Sequence, residues 1–221
     1  MSEALEVRAH PGLHEAVLEE VLKRRPPPAS VVDLGAGTGA LAVRLAEAGY
    51  SVAAYDVDPP VAAPTGVQFG RVDLDDASAS DFDGRFDIVL AVEVIEHLGA
   101  PGRLLSMLGS LVAEGGLAVV STPNIASPVS RYLFLRTGRF HQFGEPDLEY
   151  GHVMPLAEWQ VRLFLARGGL EVVGIREVGD VFAYTGGGVR ARGLSWALAR
   201  ASGLMRGATS GWSRVFVAQK R

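Results

Sequence analysis

A glycine-rich turn, GAGTG at residues 35–39, constrains the fold of this chain more than any other feature of its sequence. The apolar run Ser30–Leu34 precedes it and predicts a short buried strand, while the segment ALAVRLAEAG after it predicts a helix closed by Gly49. The next run, SVAAYDV, predicts a second strand. A strand, a helix and a strand in this order indicate a parallel sheet with right-handed crossovers.

The same alternation continues along the chain and predicts a doubly wound α/β fold, with helices on both faces of a mostly parallel sheet. Further strands are predicted in VQFGRVDL, FDIVLAVEV, GLAVVST and LEVVGIREVG. Helices are predicted at residues 13–24 and 102–111 and in LAEWQVRLFLARGG. The final run, WSRVFVAQKR, predicts a strand that we expect to be antiparallel, because only the segment 192–205 could supply a crossover helix before it.

The composition limits the chemistry open to the protein. The 221 residues include no cysteine, which excludes disulfides, thiolate nucleophiles and cysteine-ligated metals, so any metal must be held by histidines and carboxylates. The formal net charge of −4 argues against a protein that coats nucleic acid. No segment approaches the ~20 apolar residues that span a bilayer. Because the amino-terminal segment is acidic and lacks the apolar core of a secretory signal, we expect a cytoplasmic protein.

Three aspartates stand at the ends of successive predicted strands, beside the glycine turn. Asp33 precedes the turn by two residues, Asp56 ends the second strand and Asp73 ends the third. Doubly wound sheets bind ligands at the carboxyl edge of their strands, so these carboxylates are expected to line one crevice. Asp33 suits the ammonium group of a methionine moiety, and Asp56 suits the two hydroxyls of a ribose. Asp73 can accept from an adenine amine, with a backbone N–H from Leu74.

The glycine turn is also compatible with a dinucleotide. Gly35, Gly37 and Ala40 satisfy the relaxed G-x-G-x-x-G/A pattern, and Asp56 stands 21 residues after Gly35. An NAD-dependent oxidoreductase is therefore an alternative, although a carboxylate at position 33 would repel a pyrophosphate and no Tyr-x-x-x-Lys pair is present. A protein that binds a nucleoside cofactor but does not catalyse a reaction is a second alternative.

The segments VVDLGAGTG, YDVD, VDL, FDIVLAVEVIEHL and LVAEGGLAVVSTPN resemble, in this order, the motifs of class I S-adenosylmethionine-dependent methyltransferases. The resemblance covers roughly residues 30–122. Within this class, the chain is similar to the ubiquinone-pathway O-methyltransferase group. It implies a seven-stranded sheet with an antiparallel last strand and S-adenosylmethionine across its carboxyl edge. The cofactor-binding residues it implies are Asp33, Gly35, Ala36, Gly37, Thr38, Gly39, Asp56, Val57, Asp73, Leu74, Ala91 and Glu93.

The stretch EVIEH at residues 93–97 is the second informative cluster. Glu93, Glu96 and His97 are spaced to share one face of a helical turn at the end of the fourth strand. Structural pairing, a general base and a divalent-metal site are all compatible with this pattern. The stretch is similar to the E-x-x-E-H segment of ubiquinone-pathway O-methyltransferases and small-RNA 2′-O-methyltransferases, which implies metal ligands, with His152 as a fourth. Such a set suits Mg²⁺, Mn²⁺ or Zn²⁺, and His97 or His152 is the expected catalytic base.

The segment between the fifth strand and the next helix is rich in basic and aromatic residues and is too long for an ordinary connection. We interpret residues 123–155 as an acceptor-binding lid; a surface excursion with its own small core is the alternative. The whole chain is then one methyltransferase domain, with a helical segment (1–29), a cofactor-binding half (30–122), the lid and a carboxyl-terminal half (156–221). The predicted reaction is methyl transfer, favouring oxygen, to a small or medium-sized metabolite, sugar or lipid-linked acceptor.

The carboxyl-terminal tail differs in charge from the rest of the chain. Residues 181–221 contain seven basic side chains and no acidic one. The segment 192–205 within it predicts a basic amphipathic helix, for which core packing, a homodimer contact or peripheral contact with an anionic membrane are the alternatives. The tail and the Glu/His cluster also keep an RNA 2′-O-methyltransferase as an alternative function.

Overall fold

The computed structural model describes residues 9–60, 63–182 and 209–220, together with residues 197, 200 and 207. Within them, seven strands form one sheet. The strands are β1 (Ser30–Leu34), β2 (Ser51–Asp56), β3 (Val67–Arg71), β4 (Phe86–Ala91), β5 (Val112–Pro123), β6 (Leu170–Val178) and β7 (Ser213–Lys220). The helices are α1 (Leu13–Arg24), α2 (Ala40–Glu47), α3 (Pro101–Leu111), α4 (Pro128–Thr137), α5 (Glu145–Glu149) and α6 (Glu158–Arg167).

The order of strands across the sheet is β3-β2-β1-β4-β5-β7-β6. Neighbours from β3 to β5 are parallel, whereas β7 is antiparallel to both β5 and β6. This arrangement confirms the predicted doubly wound sheet with an antiparallel last strand. The order reverses beside β1, between β2 and β4, which is the position where doubly wound sheets form a ligand crevice.

Helices cover both faces of the sheet and account for the nearly continuous apolar runs of its central strands. On one face, α1 and α2 pack against Val31, Ile88 and Leu90. On the other, α3 and α6 pack against Val32 and Val89. Neighbouring residues of one strand therefore serve opposite layers of the core, because successive side chains of a strand point to opposite faces.

Several predicted element boundaries were wrong by a few residues. The third strand was expected to reach Leu74, but β3 ends at Arg71 and Asp73 lies in the following turn. The Asp73 carboxylate accepts a hydrogen bond from the Asp75 N–H at 3.0 Å, and such a local bond competes with strand pairing. The fifth strand begins at Val112, four residues earlier than expected, because a register shift opposite Phe86 and Ile88 accommodates the glycines near its start.

The predicted lid contains α4 and α5 joined by irregular chain. The predicted basic helix at 192–205 lies outside the described residues except for residues 197 and 200, so its suggested homodimer or membrane contact stays a prediction. None of the helices in the described ranges is long and apolar enough to cross a membrane.

Candidate cofactor and acceptor site

The glycine turn leaves β1 in a conformation that only glycine adopts without strain. Gly35 has a φ of 72° and Gly37 a φ of 54°. A Cβ on Gly35 would also lie 2.5 Å from Cγ2 of Val94, whereas one on Gly37 would meet nothing within 4 Å. Gly35 is therefore required by both conformation and space, and Gly37 by conformation alone. The turn is held to β2 because the N–H groups of Gly35 and Ala36 both donate to the Tyr55 carbonyl, at 2.7 and 3.1 Å.

Asp56 fixes the glycine turn to the end of β2. Its carboxylate accepts from the Gly37 N–H at 2.7 Å and from the Asp58 N–H at 2.9 Å. A carboxylate has about four acceptor positions, so two stay available to a ligand. The side chain is thus oriented before any ligand arrives, and it lines the crevice.

A cleft of about 1050 Å³ opens at this edge of the sheet. Among the residues predicted to form the site, those that line it are Gly35, Ala36, Gly37, Thr38, Asp56, Val57, Asp73, Leu74, Glu93, His97 and His152. Four predicted residues do not line the cleft: Asp33, Gly39, Ala91 and Glu96. All four are buried. The structure therefore brings most of the predicted site to one cavity and places the rest behind its wall.

Asp33 was expected to line the crevice, and this prediction was wrong. It lies within β1, paired with Ala54 of β2 and Leu90 of β4, and only 3% of it is exposed. Burial, with a smaller contribution from the charge of Asp56, raises the pKa of Asp33 to about 7. A carboxylate in this position gains stability from any cation that comes close to it.

Glu93 was expected to share a helical face with Glu96 and His97, and this prediction was also wrong. Only Ile95–His97 form a single 3-10 turn, and Glu93 precedes it with a φ of 53°. The Glu93 side chain points instead to two serines, with Oε1 accepting from the Ser121 hydroxyl at 2.8 Å and Oε2 from the Ser213 hydroxyl at 3.2 Å. Glu93 therefore lies outside the Glu/His cluster to which the sequence assigned it.

Glu96, His97 and His152 do come together, although His152 is more than fifty residues further along the chain. Their ligand atoms all lie within 4.8 Å of one another. Nδ1 of His152 lies 2.8 Å from the Gln142 carbonyl. Because a carbonyl only accepts, Nδ1 must carry the proton, which leaves the lone pair on Nε2. The histidine is thereby prepared to accept a proton or to ligate a cation.

Glu96 is the most unusual residue of this cluster. It is fully buried, and among the described residues neither carboxylate oxygen has a hydrogen-bond partner of normal geometry. Burial, followed by the negative charge of Glu93, raises its pKa well above the usual value; the nearby Thr122 hydroxyl opposes this shift without reaching hydrogen-bond geometry. A buried carboxyl group in this state is either protonated or compensated by a cation.

His97 is exposed, but partial desolvation of its ring lowers its pKa, and the neighbouring His152 lowers it further. Backbone hydrogen bonds with Tyr150 and Gly151 act in the opposite direction but do not reverse the shift. The rings of His97 and His152 lie edge to face, with centroids 4.8 Å apart. His97 is thus a neutral imidazole near neutral pH and can accept a proton.

Sequence reasoning missed Trp212 as a cleft residue. Its ring stacks on His10 with centroids 5.1 Å apart and meets His141 edge to face at 4.7 Å. Its carbonyl accepts from the Asn124 N–H and from Nε2 of Gln142, both at 3.0 Å. The tryptophan opens the last predicted strand, so its place in the sequence suggested a strand residue and gave no sign of a cleft.

His14 was missed as well. It lies on α1 and lines the cleft with only 9% exposure, and its Nδ1 has no hydrogen-bond partner in the part of the chain that the structure describes. Burial and the nearby Arg44 lower its pKa. A histidine between the buried residues Leu13 and Ala16 was the one sequence signal available, since a polar side chain at a core-facing helix position needs a partner.

The comparison with known protein families agrees with the fold and the cleft described above. The family model described as a methyltransferase domain matches residues 8–174. The chain belongs to this family. The sheet order of this methyltransferase, with its antiparallel β7, is the class I fold that the sequence motifs implied.

Curated relatives share part of the chain. A ubiquinone biosynthesis O-methyltransferase of Caulobacter sp. (strain K31) is 34% identical over 102 residues, which are 42% of this chain and 40% of the relative. The protein of the same name from Xanthomonas axonopodis pv. citri (strain 306) is 33% identical over 122 residues, 51% of each chain. The methyltransferase thus spans about 40% to 51% of the length of these relatives.

Solved structures share the fold over nearly the whole chain. A SAM-dependent methyltransferase from Archaeoglobus fulgidus aligns with a TM-score of 0.66 at 18% identity, covering 96% of both chains. Magnesium protoporphyrin IX methyltransferase from Synechocystis PCC 6803 with bound SAH aligns with a TM-score of 0.61 at 17% identity, covering 94% of this chain and 82% of the other. At these identities the likeness concerns the fold.

Proposed function

We propose that this methyltransferase binds S-adenosylmethionine in the cleft and transfers its methyl group to a hydroxyl of a small or medium-sized acceptor. The observation that carries the proposal is the glycine turn held to Asp56 at the carboxyl edge of the sheet. Such a turn lets a ligand approach the backbone closely, while the adjacent carboxylate accepts from vicinal hydroxyls.

The three parts of the cofactor match three parts of the cleft. The methionine part lies against Gly35 and Gly37, with Asp33 behind them as a buried negative charge that favours its ammonium group. The ribose hydroxyls donate to the free positions of Asp56. The adenine lies against the turn after β3, between Asp73 and Leu74. Ala36, Thr38, Gly39 and Val57 complete this side of the site, and Ala91 and Glu93 lie behind and beside the sulfur.

The methyl transfer needs alignment and removal of a proton, since a sulfonium methyl is already electrophilic. The acceptor oxygen forms a bond to the methyl carbon, the bond from carbon to sulfur breaks, and the electron pair of that bond stays on sulfur as the neutral thioether. The hydroxyl proton passes to His97 or His152. Both line the cleft, His97 is neutral because partial desolvation lowers its pKa, and Nε2 of His152 carries a lone pair.

The cluster of Glu96, His97 and His152 fits a divalent cation. The fit rests on the buried Glu96 carboxylate, whose oxygens both lack a hydrogen-bond partner, and on two imidazoles whose ligand atoms lie within 4.8 Å of it. Mg²⁺, Mn²⁺ or Zn²⁺ held there would lower the pKa of an acceptor hydroxyl. The Gln142 carbonyl would then orient His152 from behind, as a second hydrogen-bonding partner does for many metal-bound histidines.

A hydroxyl acceptor is supported by the names of the curated relatives, which are O-methyltransferases. The lid at 123–155 supplies Gln142, Tyr150 and His152 to the cleft. Together with Trp212 they give part of the cleft a partly aromatic lining, which suits an acceptor with a flat apolar part and a hydroxyl.

Calorimetry tests the cofactor assignment. Wild-type protein is expected to bind S-adenosylhomocysteine and not NAD(H). Asp56→Ala is expected to lower the affinity for S-adenosylhomocysteine by about tenfold or more, because it removes a charged hydrogen-bond acceptor. Asp76→Ala, in the exposed turn beyond Asp73, is a control that leaves the cleft intact. Wild-type protein that binds NAD(H) in preference would contradict the proposal.

Two measurements test the cation. Plasma mass spectrometry of the purified protein is expected to find a stoichiometric divalent metal, and the turnover of labelled S-adenosylmethionine with an acceptor pool is expected to fall after chelation. Unchanged turnover with EDTA, together with a metal-free preparation, would remove the cation and leave the histidines as the base.

A further inference from the structure

The backbone and side chain of Glu93 are both held in an uncommon way on the cleft wall. A non-glycine residue adopts a φ of 53° there, and strain of this kind persists only where surrounding contacts impose it. The contacts are the two serine hydroxyls that donate to the carboxylate, from Ser121 on β5 and Ser213 on β7. The Ser121 oxygen also accepts the Glu93 N–H at 2.9 Å. The carboxylate is therefore oriented from both sides before a ligand binds.

We infer that Glu93 supplies the negative charge by which the cleft recognises the sulfonium of S-adenosylmethionine and distinguishes it from the neutral thioether product. The inference rests on the proposed function and deepens it, because it assigns the charge selectivity of the cofactor site to one side chain.

The location of Glu93 supports this role. The chain at Glu93 and Val94 passes directly against the glycine turn, since a Cβ on Gly35 would lie 2.5 Å from Val94. In the proposed pose the methionine part lies on this turn and the ribose at Asp56. The sulfur connects these two parts of the cofactor, so it lies in the stretch of cleft that Glu93 borders.

The charges around the cleft also leave this position open for a ligand cation. Among the described residues that line the cleft there is no lysine or arginine. Burial raises the pKa of Glu93, while the hydrogen bonds from Ser121 and Ser213 oppose this shift and favour the ionised form. A half-buried carboxylate of this kind gains from a cation placed beside it, and the sulfonium of the ligand is such a cation.

Methyl transfer removes this interaction. When the bond from carbon to sulfur breaks, the sulfur keeps the electron pair and loses its positive charge, so the attraction to Glu93 is lost at the moment the product forms. Discrimination by charge therefore favours binding of the cofactor and release of the product, although the two ligands share every other group.

The test compares the two ligands on one variant. Glu93→Gln keeps the size of the side chain and removes its charge. The amide oxygen can still accept from one serine hydroxyl, whereas the amide NH2 donates to the other. Calorimetry at pH 8 is expected to show that the affinity for S-adenosylmethionine falls about tenfold, as loss of one partly buried charge pair predicts. The affinity for S-adenosylhomocysteine is expected to change less than about twofold. Glu47→Gln, the same change at an exposed glutamate that does not line the cleft, is the matched control and is expected to leave both affinities within about twofold.

The other outcomes separate this inference from the proposed function. Equal weakening of both ligands by Glu93→Gln, or no weakening of either, would overturn the charge assignment while leaving the cofactor site in place. Wild-type protein that binds neither ligand would overturn the proposed function and this inference with it. Ser213→Ala is expected to shift S-adenosylmethionine affinity in the same direction as Glu93→Gln by a smaller factor, and a larger effect on S-adenosylhomocysteine would count against the inference.

Discussion

Asp33→Asn is expected to stabilise the ligand-free protein above pH 7 and to lower its affinity for S-adenosylmethionine. The wild-type carboxyl group is buried in β1, where ionisation is opposed by desolvation and by the charge of Asp56. An asparagine has nearly the same shape and carries no charge to bury. The substitution therefore removes the free-energy cost of burying an ionised carboxylate, which the cofactor would otherwise offset. Many binding sites lose stability in this way to keep a functional group.

The direction and size follow from the pKa. The folded value of about 7 lies above the ordinary value of 3.8, so the folded state holds the proton more tightly. Stability from this group is complete below the unfolded pKa and is lost as the pH rises through the folded pKa. Between pH 5 and pH 8, the free energy of unfolding of Asp33→Asn relative to wild type is expected to rise by about 2–3 kcal/mol, at about 1.4 kcal/mol per pH unit up to pH 7.

Urea unfolding followed by circular dichroism at pH 5, 6, 7 and 8 measures this difference. Asp87→Asn is a control of opposite sign, because hydrogen bonds from Ser30, together with Arg25, lower the pKa of Asp87. Loss of that carboxylate is expected to destabilise the protein above about pH 4.

A stability difference between Asp33→Asn and wild type that is flat from pH 5 to pH 8 would refute the reasoning, because it would mean that Asp33 titrates at its ordinary value despite its burial. Asp33→Asn that is less stable than wild type by a constant amount from pH 5 to pH 8 would show that a cation pairs with Asp33 in the ligand-free protein, because the carboxyl group would then be ionised in both states over this range.

Three further changes test other parts of the molecule. Gly35→Ala is expected to lower the free energy of unfolding by about 2–3 kcal/mol through its contact with Val94 and its positive φ; denaturation equal to wild type would contradict this. Asn124→Ala removes the amide that donates to the Thr209 and Gly211 carbonyls, and a loss of about 1–3 kcal/mol by the same assay is expected. Glu96→Gln is expected to leave the protein folded and to abolish stoichiometric metal in plasma mass spectrometry, whereas retained metal would place the cation elsewhere.

The sequence by itself determined the order of elements and the glycine turn that borders the cleft. Apolar runs and amphipathic segments predicted the parallel sheet, because burial on both faces makes its strands continuous apolar runs. The glycine turn and Asp56 were also predictable. Gly37 and Asp56 lie close in the chain, and a turn that requires positive φ must use glycine whatever surrounds it.

Only the tertiary structure decided where the remaining carboxylates point. Glu93 has the spacing of a helical partner of Glu96, yet its oxygens bind Ser121 and Ser213, which lie 28 and 120 residues further along the chain. Trp212 reaches the cleft because β7 inserts between β5 and β6. Local spacing predicts neighbours only within one regular element, whereas these contacts depend on which strands lie side by side, and that order is set by packing of the whole sheet.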